Sequence, residues 1–174
     1  MRPLVAVISG VAGTGKTTIG RLVAAEYGWP FAEGDDLHSP ANVARMRAGI
    51  PLTDADRGPW LHRIAAWIVE RSATGSGGVV TCSALRRRYR DLLRGHCSDV
   101  YFGCLTAAPE VLAARLTERR GHFMPASLLD SQLADFEPLA PDEPGFTVDA
   151  SGPARRTAAA VIARLASIAD GSPS

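Results

Sequence analysis

The sequence predicts an α/β protein with a parallel β-sheet and helices on both faces. Short apolar runs alternate with longer stretches whose apolar residues recur at helical spacing, which is typical of strand–helix–strand units. The first run, residues 4–9, is almost continuously apolar, as expected of a parallel strand buried on both faces. We therefore expect residues 1–174 to form a single domain with one core.

Five strands are expected from the apolar runs, each ending at turn residues or at a helical pattern. They cover residues 4–9, 30–33, 79–83, 100–105 and 146–148. No internal repeat or low-complexity tract interrupts them. The order of the segments therefore favours one sheet.

In the segments between and after these strands, apolar residues recur at helical spacing. The predicted helices cover residues 16–27, 40–48, 59–72, 85–94, 109–119 and 127–136, with a final helix whose apolar positions run from 158 to 169. Pro59 and Pro109 are placed at helix starts because the fixed backbone of proline suits the first turn. Gly28 is expected to end the first helix.

The amino-acid composition limits the classes of function that the protein can have. The formal net charge of +1 gives no bulk attraction to nucleic acid or to an anionic membrane. No apolar run reaches transmembrane length. Three cysteines form no close metal-type pair, and we expect them to be reduced and buried as small hydrophobic residues. These features predict a cytoplasmic protein without a nucleic-acid or membrane partner.

A phosphate-binding loop is predicted at residues 10–17, Gly-Val-Ala-Gly-Thr-Gly-Lys-Thr. It lies between the first strand and the first helix, so its backbone N–H groups and the helix N-terminus face a common point. Lys16 is the single lysine of the chain, and its compact ammonium suits a tight loop better than a guanidinium does. We expect Lys16 to contact the β- and γ-phosphates and the Thr17 hydroxyl to hold Mg²⁺.

Acidic residues follow the second predicted strand, at the sheet edge where such folds bind ligands. We expect Asp35 to orient an attacking hydroxyl and accept its proton. Glu33 is the expected second Mg²⁺ ligand, because the third strand ends Thr-Cys-Ser and brings no carboxylate. A solvated turn or a helix cap also explains such residues, and we prefer that interpretation for Asp36.

Arginines supply the remaining charge in two places. The run at residues 86–90 has the composition of a nucleic-acid patch, but in a near-neutral domain most of it is expected to be solvated. Arg115, Arg119 and Arg120 precede a loop long enough to act as a lid. Arginines there would stabilise a phosphoryl group in transfer while the closed lid excludes water. Favourable cations at a helix C-terminus explain the same spacing equally well.

Several further segments follow the phosphate loop, and their order along the chain is informative. Together with the loop, these segments are residues 10–17, 33–38, 46–61, 82–85, 89–94, 115–123, 131–133 and 137–139. In this order they resemble the small bacterial gluconokinases, relatives of shikimate kinase and adenylate kinase among the P-loop kinases. The resemblance covers about the first 140 residues and is far more specific than the loop alone.

The resemblance implies a P-loop kinase fold, a five-stranded parallel sheet and a mobile lid at about residues 119–127. It implies phosphorylation of D-gluconate to 6-phospho-D-gluconate, with ATP as the donor, Mg²⁺ as the cofactor and commonly a homodimer. The substrate chemistry agrees, because a small polyhydroxy carboxylate needs arginine forks for the acid and polar partners for the hydroxyls.

The resemblance also implies roles for individual residues. Asp35 engages the substrate hydroxyl, Arg57 and Arg86 bind the sugar acid with His38 nearby, and His122 contacts the acid when the lid is shut. Arg119 is the lid arginine, and with Lys16 and Asp35 it forms the expected catalytic set. The expected nucleotide contacts are Gly10, Gly13, Thr14, Gly15, Lys16, Thr17, Thr18, Arg115 and Arg119.

The chain departs from the family pattern at three places. Ser39 follows His38 where proline is frequent, and Asp135-Phe136 replaces threonine-leucine. Arg86-Arg87 stands where lysines are common. None of these changes removes a group that the expected chemistry needs.

Two alternatives remain open on the residues alone. Spacing does not distinguish gluconate from shikimate or another small hydroxy acid as the acceptor. A nucleotide-dependent regulatory or RNA-binding protein would use residues 86–94 as its surface. The near-neutral charge and the absence of a recognition module in the sequence speak against this second alternative.

Overall fold

The computed structural model of the protein describes residues 4–118 and 126–171. Two residues expected to act from the lid, Arg119 and His122, lie outside the described residues, so their roles stay predictions. Among the helices of the described part, none has the length and apolarity needed to cross a membrane.

Five parallel strands form one sheet, as predicted. They are β1 (Val5–Ser9), β2 (Phe31–Glu33), β3 (Gly78–Thr81), β4 (Val100–Thr106) and β5 (Gly145–Asp149). Their order in the sheet is β2–β3–β1–β4–β5, which puts β1 at the centre. All four strand pairings are parallel, so the carboxyl ends of the strands meet at one edge.

Seven α-helices connect and cover the strands in the described residues. They are α1 (Lys16–Tyr27), α2 (Pro40–Arg47), α3 (Asp54–Thr74), α4 (Arg87–Arg94), α5 (Pro109–Glu118), α6 (Ala126–Asp135) and α7 (Ala154–Ala169). A short 3₁₀ helix, Gly34–Leu37, follows β2. Gly28 ends α1 in the left-handed conformation, as predicted.

The predicted start of α3 is wrong, because the helix begins at Asp54 and not at Pro59. Thr53 and Asp56 form a capping box: the Asp56 N–H donates to Thr53 Oγ1 at 3.2 Å, and the Thr53 N–H donates to Asp56 Oδ2 at 2.8 Å. Pro59 is the sixth residue of the helix and removes a single intrahelical hydrogen bond. The capping box therefore determines where the helix starts, and the helix tolerates the proline close to its N-terminus.

Alternate residues of β1, together with Leu4 just before it, face two different helical layers. Leu4, Ala6 and Ile8 pack in a buried cluster with α1 and α7, whereas Val5 and Val7 pack in a second cluster with α3 and α4. Side chains alternate between the faces of a strand, and both faces are covered here. This burial on both sides explains the continuous apolar run and holds the phosphate loop, which follows β1, at the centre of the sheet edge.

A buried ion pair holds the proline-rich segment between α6 and β5. Arg90 of α4 is 2% exposed, and its Nε and Nη2 donate to the two Glu143 oxygens at 2.6 and 2.8 Å. Arg90 Nη1 also donates to the carbonyls of Ala84 and Glu137 at 3.1 and 3.0 Å. Arg90 is therefore part of the protein interior, whereas Arg87 and Arg88 are exposed, in keeping with the expectation that most of the run is solvated.

Replacing Glu143 by Gln should lower the free energy of unfolding by about 3 kcal/mol, because the Arg90 charge would stay buried without its counter-ion. Urea unfolding followed by circular dichroism measures this change. The matched control is Asp142→Asn, which removes a surface carboxylate bound by both Nη atoms of Arg87. The control should leave stability nearly unchanged. Equal losses in the two variants would contradict a special role for the buried pair.

Candidate active site

The phosphate loop turns sharply after β1. Gly10 has φ 136°, and a Cβ there would lie 2.5 Å from the Leu105 carbonyl oxygen, so glycine is needed. Thr14 Oγ1 and Lys16 Nζ donate to the Val11 carbonyl at 2.8 and 3.1 Å. The Lys16 ammonium thus lies over the loop at the N-terminus of α1, where a phosphate would meet both positive charge and backbone N–H groups.

The two predicted Mg²⁺ ligands lie together. Thr17 Oγ1 donates to Glu33 Oε2 at 2.5 Å, and Thr81 Oγ1 donates to the other oxygen, Oε1. The carboxylate therefore connects the phosphate loop to the ends of β2 and β3. No group of three or more His, Cys, Asp or Glu side chains suited to a metal occurs in the described part of the chain. Two hard oxygen donors fit Mg²⁺, which keeps water and phosphate oxygens as its other ligands.

Gly34 places the 3₁₀ helix close to the end of β3. Its N–H donates to Thr81 Oγ1 at 3.0 Å, and its carbonyl accepts from Trp60 Nε1 at 2.7 Å. A Cβ at Gly34 would lie 1.9 Å from the Thr81 carbonyl oxygen, so any side chain is excluded. This close approach positions Asp35, whose exposed side chain lines a cavity beside the phosphate loop.

The cavity extends from the phosphate loop to α3 and α6. Its polar wall consists of Lys16, Thr17, Asp35, His38, Arg57, Ser83, Ser131 and Gln132. Its apolar wall includes Met46, Pro51, Leu52, Trp60, Leu85, Leu116 and Leu128. Asp36 is exposed and is not among these residues, in keeping with its interpretation as a surface or cap residue. Of the substrate residues predicted within the described part, Asp35, His38 and Arg57 share this cavity.

His38 is held with a defined tautomer. Its ring stacks on Trp60 with centroids 4.1 Å apart. Asn42 Nδ2 donates to the Asp56 carbonyl at 2.9 Å, which orients the amide, so His38 Nδ1 at 3.4 Å accepts and the proton is on Nε2. Burial lowers the pKa of His38, opposed by the charge of Asp35 and assisted by Arg63 and Arg57. The imidazole is therefore neutral at physiological pH.

The two predicted acid-binding arginines converge on one carboxylate. Arg57 Nη1 donates to the Tyr89 hydroxyl at 2.9 Å, and its Nη2 donates to Asp135 Oδ2 at 3.2 Å. Arg86 precedes α4 and donates to Asp135 Oδ1. Arg57 lines the cavity, but Arg86 is not among the described residues of its wall. The two arginines therefore contact the two oxygens of one carboxylate, and Arg57 is the one shown to line the cavity.

A second cavity lies on the other side of the phosphate loop. Its lining includes Gly13, Thr14, Gly15, Thr18, Arg115, Glu118 and residues that lead from β5 into α7. Arg115 Nη1 donates to the Gly13 carbonyl at 3.3 Å, and Nη2 donates to the Ser151 and Gly152 carbonyls at 3.0 and 3.2 Å. Arg115 thus joins the loop to the β5–α7 connection.

Sequence reasoning missed several residues of the site. Gln132 of α6 accepts the Ala12 N–H of the phosphate loop at 2.7 Å, and Trp60 is both a core residue and a cavity wall. The signal for Gln132 was present, since residues 131–133 belong to the segments that resemble gluconokinases. Asp135 was noted as a departure from the pattern, and its contacts with two arginines depend on how α6 packs.

A phosphate loop at the end of the central strand, with an adjoining cavity that carries a carboxylate and an arginine, defines a small-molecule kinase of the P-loop class. The family model described as shikimate kinase matches residues 12–135. Curated relatives and a solved structure narrow this assignment.

A gluconokinase of Gluconobacter oxydans (strain 621H) is 51% identical over 148 residues, covering 85% of this chain and 83% of that protein. The thermosensitive gluconokinase of Escherichia coli (strain K12) is 42% identical over 137 residues, covering 79% and 73%. A crystal structure of a gluconokinase from Sinorhizobium meliloti 1021 has a TM-score of 0.89 and 41% identity, covering 98% and 95%. The chain belongs to the gluconokinase family.

The lowered pKa of His38 predicts a pH dependence of stability. On acidification the unfolded chain gains the His38 proton near its ordinary value of 6.5, before the folded protein does, so the folded state loses stability below about pH 6.5. Urea unfolding at about pH 7.5 and about pH 5.5 should show a smaller loss for His38→Gln than for the wild type. An NMR titration midpoint of His38 at or above 6.5 would contradict this prediction.

Proposed function

We propose that the protein is a gluconokinase that transfers the γ-phosphoryl group of ATP to the terminal hydroxyl of D-gluconate, giving 6-phospho-D-gluconate and ADP. One observation supports this proposal most directly. A single cavity is lined by Lys16 of the phosphate loop, by Asp35 and by Arg57. Such a cavity matches an acceptor with a hydroxyl to phosphorylate and a carboxylate to bind, and the chain is 51% identical to a curated gluconokinase.

The donor nucleotide is proposed to lie across the phosphate loop. The loop N–H groups and Lys16 would bind the β- and γ-phosphates, and the second cavity beside Arg115 would receive the nucleoside. Thr17 and Glu33 would hold Mg²⁺ with the phosphate oxygens. When bound, Mg²⁺ neutralises charge on the phosphates and orients them for transfer. Arg119 is proposed to join from the lid.

The acceptor is proposed to lie between Asp35 and Arg57. Asp35 would orient the terminal hydroxyl and take its proton as the hydroxyl oxygen bonds to the γ-phosphorus and the bond from phosphorus to the leaving ADP oxygen breaks. Arg57 would bind the carboxylate. Neutral His38 would donate from Nε2 to a substrate oxygen, with His122 joining from the lid. The apolar wall suits the C–H faces of the sugar chain.

A nucleic-acid surface is disfavoured by the partners of the arginine run. Arg86 binds Asp135, Arg87 binds Asp142, Arg88 binds Asp54 and Arg90 binds Glu143. Each guanidinium therefore has a carboxylate partner within the protein, so the run offers little net charge to phosphates. A homodimer in the cytoplasm completes the proposal and is supported by the family resemblance alone.

Acceptor preference is the direct test of this proposal. Purified protein with MgATP should release ADP far faster with D-gluconate than with shikimate, nucleoside monophosphates or other sugar acids. A coupled assay of ADP formation across this panel measures the preference. A rate on shikimate or another acceptor equal to the rate on gluconate would contradict the proposed substrate.

Asp35→Asn should lower kcat by roughly 100-fold or more, because the amide cannot accept the hydroxyl proton. The KM for ATP should stay within about twofold, since Asp35 is proposed to contact the acceptor. Asp36→Asn is the matched control, as the neighbouring carboxylate is exposed and outside the cavity wall. Steady-state kinetics of both variants measure kcat and the KM for ATP. A normal kcat for Asp35→Asn would show that this residue does not take part in the mechanism.

A further inference from the structure

Asp135, the last residue of α6, is shared by two guanidinium groups. Oδ2 accepts from Arg57 at 3.2 Å, and Oδ1 accepts from Arg86. The side chains of Arg57, Arg86 and Asp135 are 14, 30 and 18% exposed. Water screens such largely covered charges poorly, so their mutual interactions are stronger than those of surface ion pairs.

The carboxylate of Asp135 is ionised at neutral pH. Burial raises its pKa, but the hydrogen bond from Arg86 and the charges of Arg57 and Arg86 outweigh burial, and the pKa lies below its ordinary value. Two guanidinium groups and one carboxylate leave this trio with one net positive charge. Arg57 is the member that lines the acceptor cavity.

Neighbouring groups leave this charge nearly unaltered. The Tyr89 hydroxyl that accepts from Arg57 donates its own proton to Asp54 Oδ1. Asp54 Oδ1 lies 4.0 Å from Arg57 Nη1, but its side chain is 57% exposed and its other oxygen binds Arg88. Asp54 and Arg88 therefore balance each other at the surface. Through Arg57, the trio presents about one positive charge to the cavity.

We infer that Asp135 determines the acceptor specificity of this kinase, by limiting the arginine pair to one net positive charge. A site with one positive charge suits an acceptor whose far end carries one negative charge, such as a carboxylate. It suits less well an acceptor that ends in a phosphate monoester with two charges. Asp135 acts through Arg57, because it is not among the described residues of the cavity wall. The inference rests on the proposed function, which places the acceptor carboxylate at Arg57.

The effect of the site charge can be isolated by the ratio of two affinities, one for a dianionic ligand and one for a monoanionic ligand. A change of one unit in the site charge alters the binding energy of a dianion about twice as much as that of a monoanion. Loss of Arg57 orientation would instead weaken both ligands alike. The ratio of the two dissociation constants therefore responds to charge and is insensitive to orientation.

The test compares D-gluconate with D-mannitol 1-phosphate, an open-chain polyol with a phosphate at one end and a primary hydroxyl at the other. Calorimetric titration at about pH 8 keeps the phosphate doubly charged. The wild type should prefer gluconate, and Asp135→Asn should reduce the gluconate preference by roughly tenfold or more. The matched control Asp142→Asn loses a carboxylate bound by Arg87 at the surface and should keep the wild-type ratio.

A second variant tests the opposite sign. Arg86→Gln removes one positive charge from the trio, so it should increase the preference for gluconate over the hexitol phosphate. Thermal unfolding confirms that each variant is folded, and Arg86→Gln still decides the matter if Asp135→Asn does not fold. The inference would be overturned if the ratio of the two dissociation constants stayed unchanged in the folded variants, whether both ligands bind as before or both bind more weakly by the same factor.

Wild-type turnover of gluconate is measured in the same series. Absence of turnover would contradict the proposed function and this inference with it. Normal turnover together with an unchanged ratio in the folded variants would overturn the inference alone.

Discussion

The carboxylate of Glu33 is the contact on which the site depends. It accepts from Thr17 in the phosphate loop and from Thr81 at the end of β3, while Gly34 donates to the same threonine. Three chain segments far apart in sequence thus meet at one polar point on the sheet edge. Because parallel strands end together, this point lies at the carboxyl edge of the sheet, and Thr17 lines the same cavity as Lys16 and Asp35.

Charge in this kinase is arranged mainly by pairing within the protein. A chain with nineteen Lys and Arg and eighteen Asp and Glu residues has little net charge, and Arg87, Arg88 and Arg90 of α4 bind carboxylates from other segments. The buried pair of Arg90 and Glu143 is structural, whereas Arg57, one of the two arginines bound to Asp135, lines the cavity beside the phosphate loop. Similar ion pairs thus differ in their burial and in their access to the cavity.

Much of the fold and part of the site follow from local patterns. The strands, the parallel sheet and the phosphate loop depend on residues close in sequence, and the predictions for them are confirmed. The start of α3 was misplaced because Pro59 is a strong local signal, yet the capping box at Thr53 begins the helix earlier. The burial of Arg90 escaped prediction because its partner Glu143 lies 53 residues away.

The sequence by itself determined the class of protein, because a phosphate loop between an apolar strand and a helix needs only contiguous residues. It also indicated the gluconokinase family through segments kept in order, which the curated relatives bear out. Tertiary structure alone decided that Arg57, and not Arg86, is among the described residues that line the cavity, and that Asp135 joins the two arginines. These relations depend on where the last residue of α6 meets Arg57 of α3 and Arg86 before α4, and spacing along the chain carries no information about such long-range contacts.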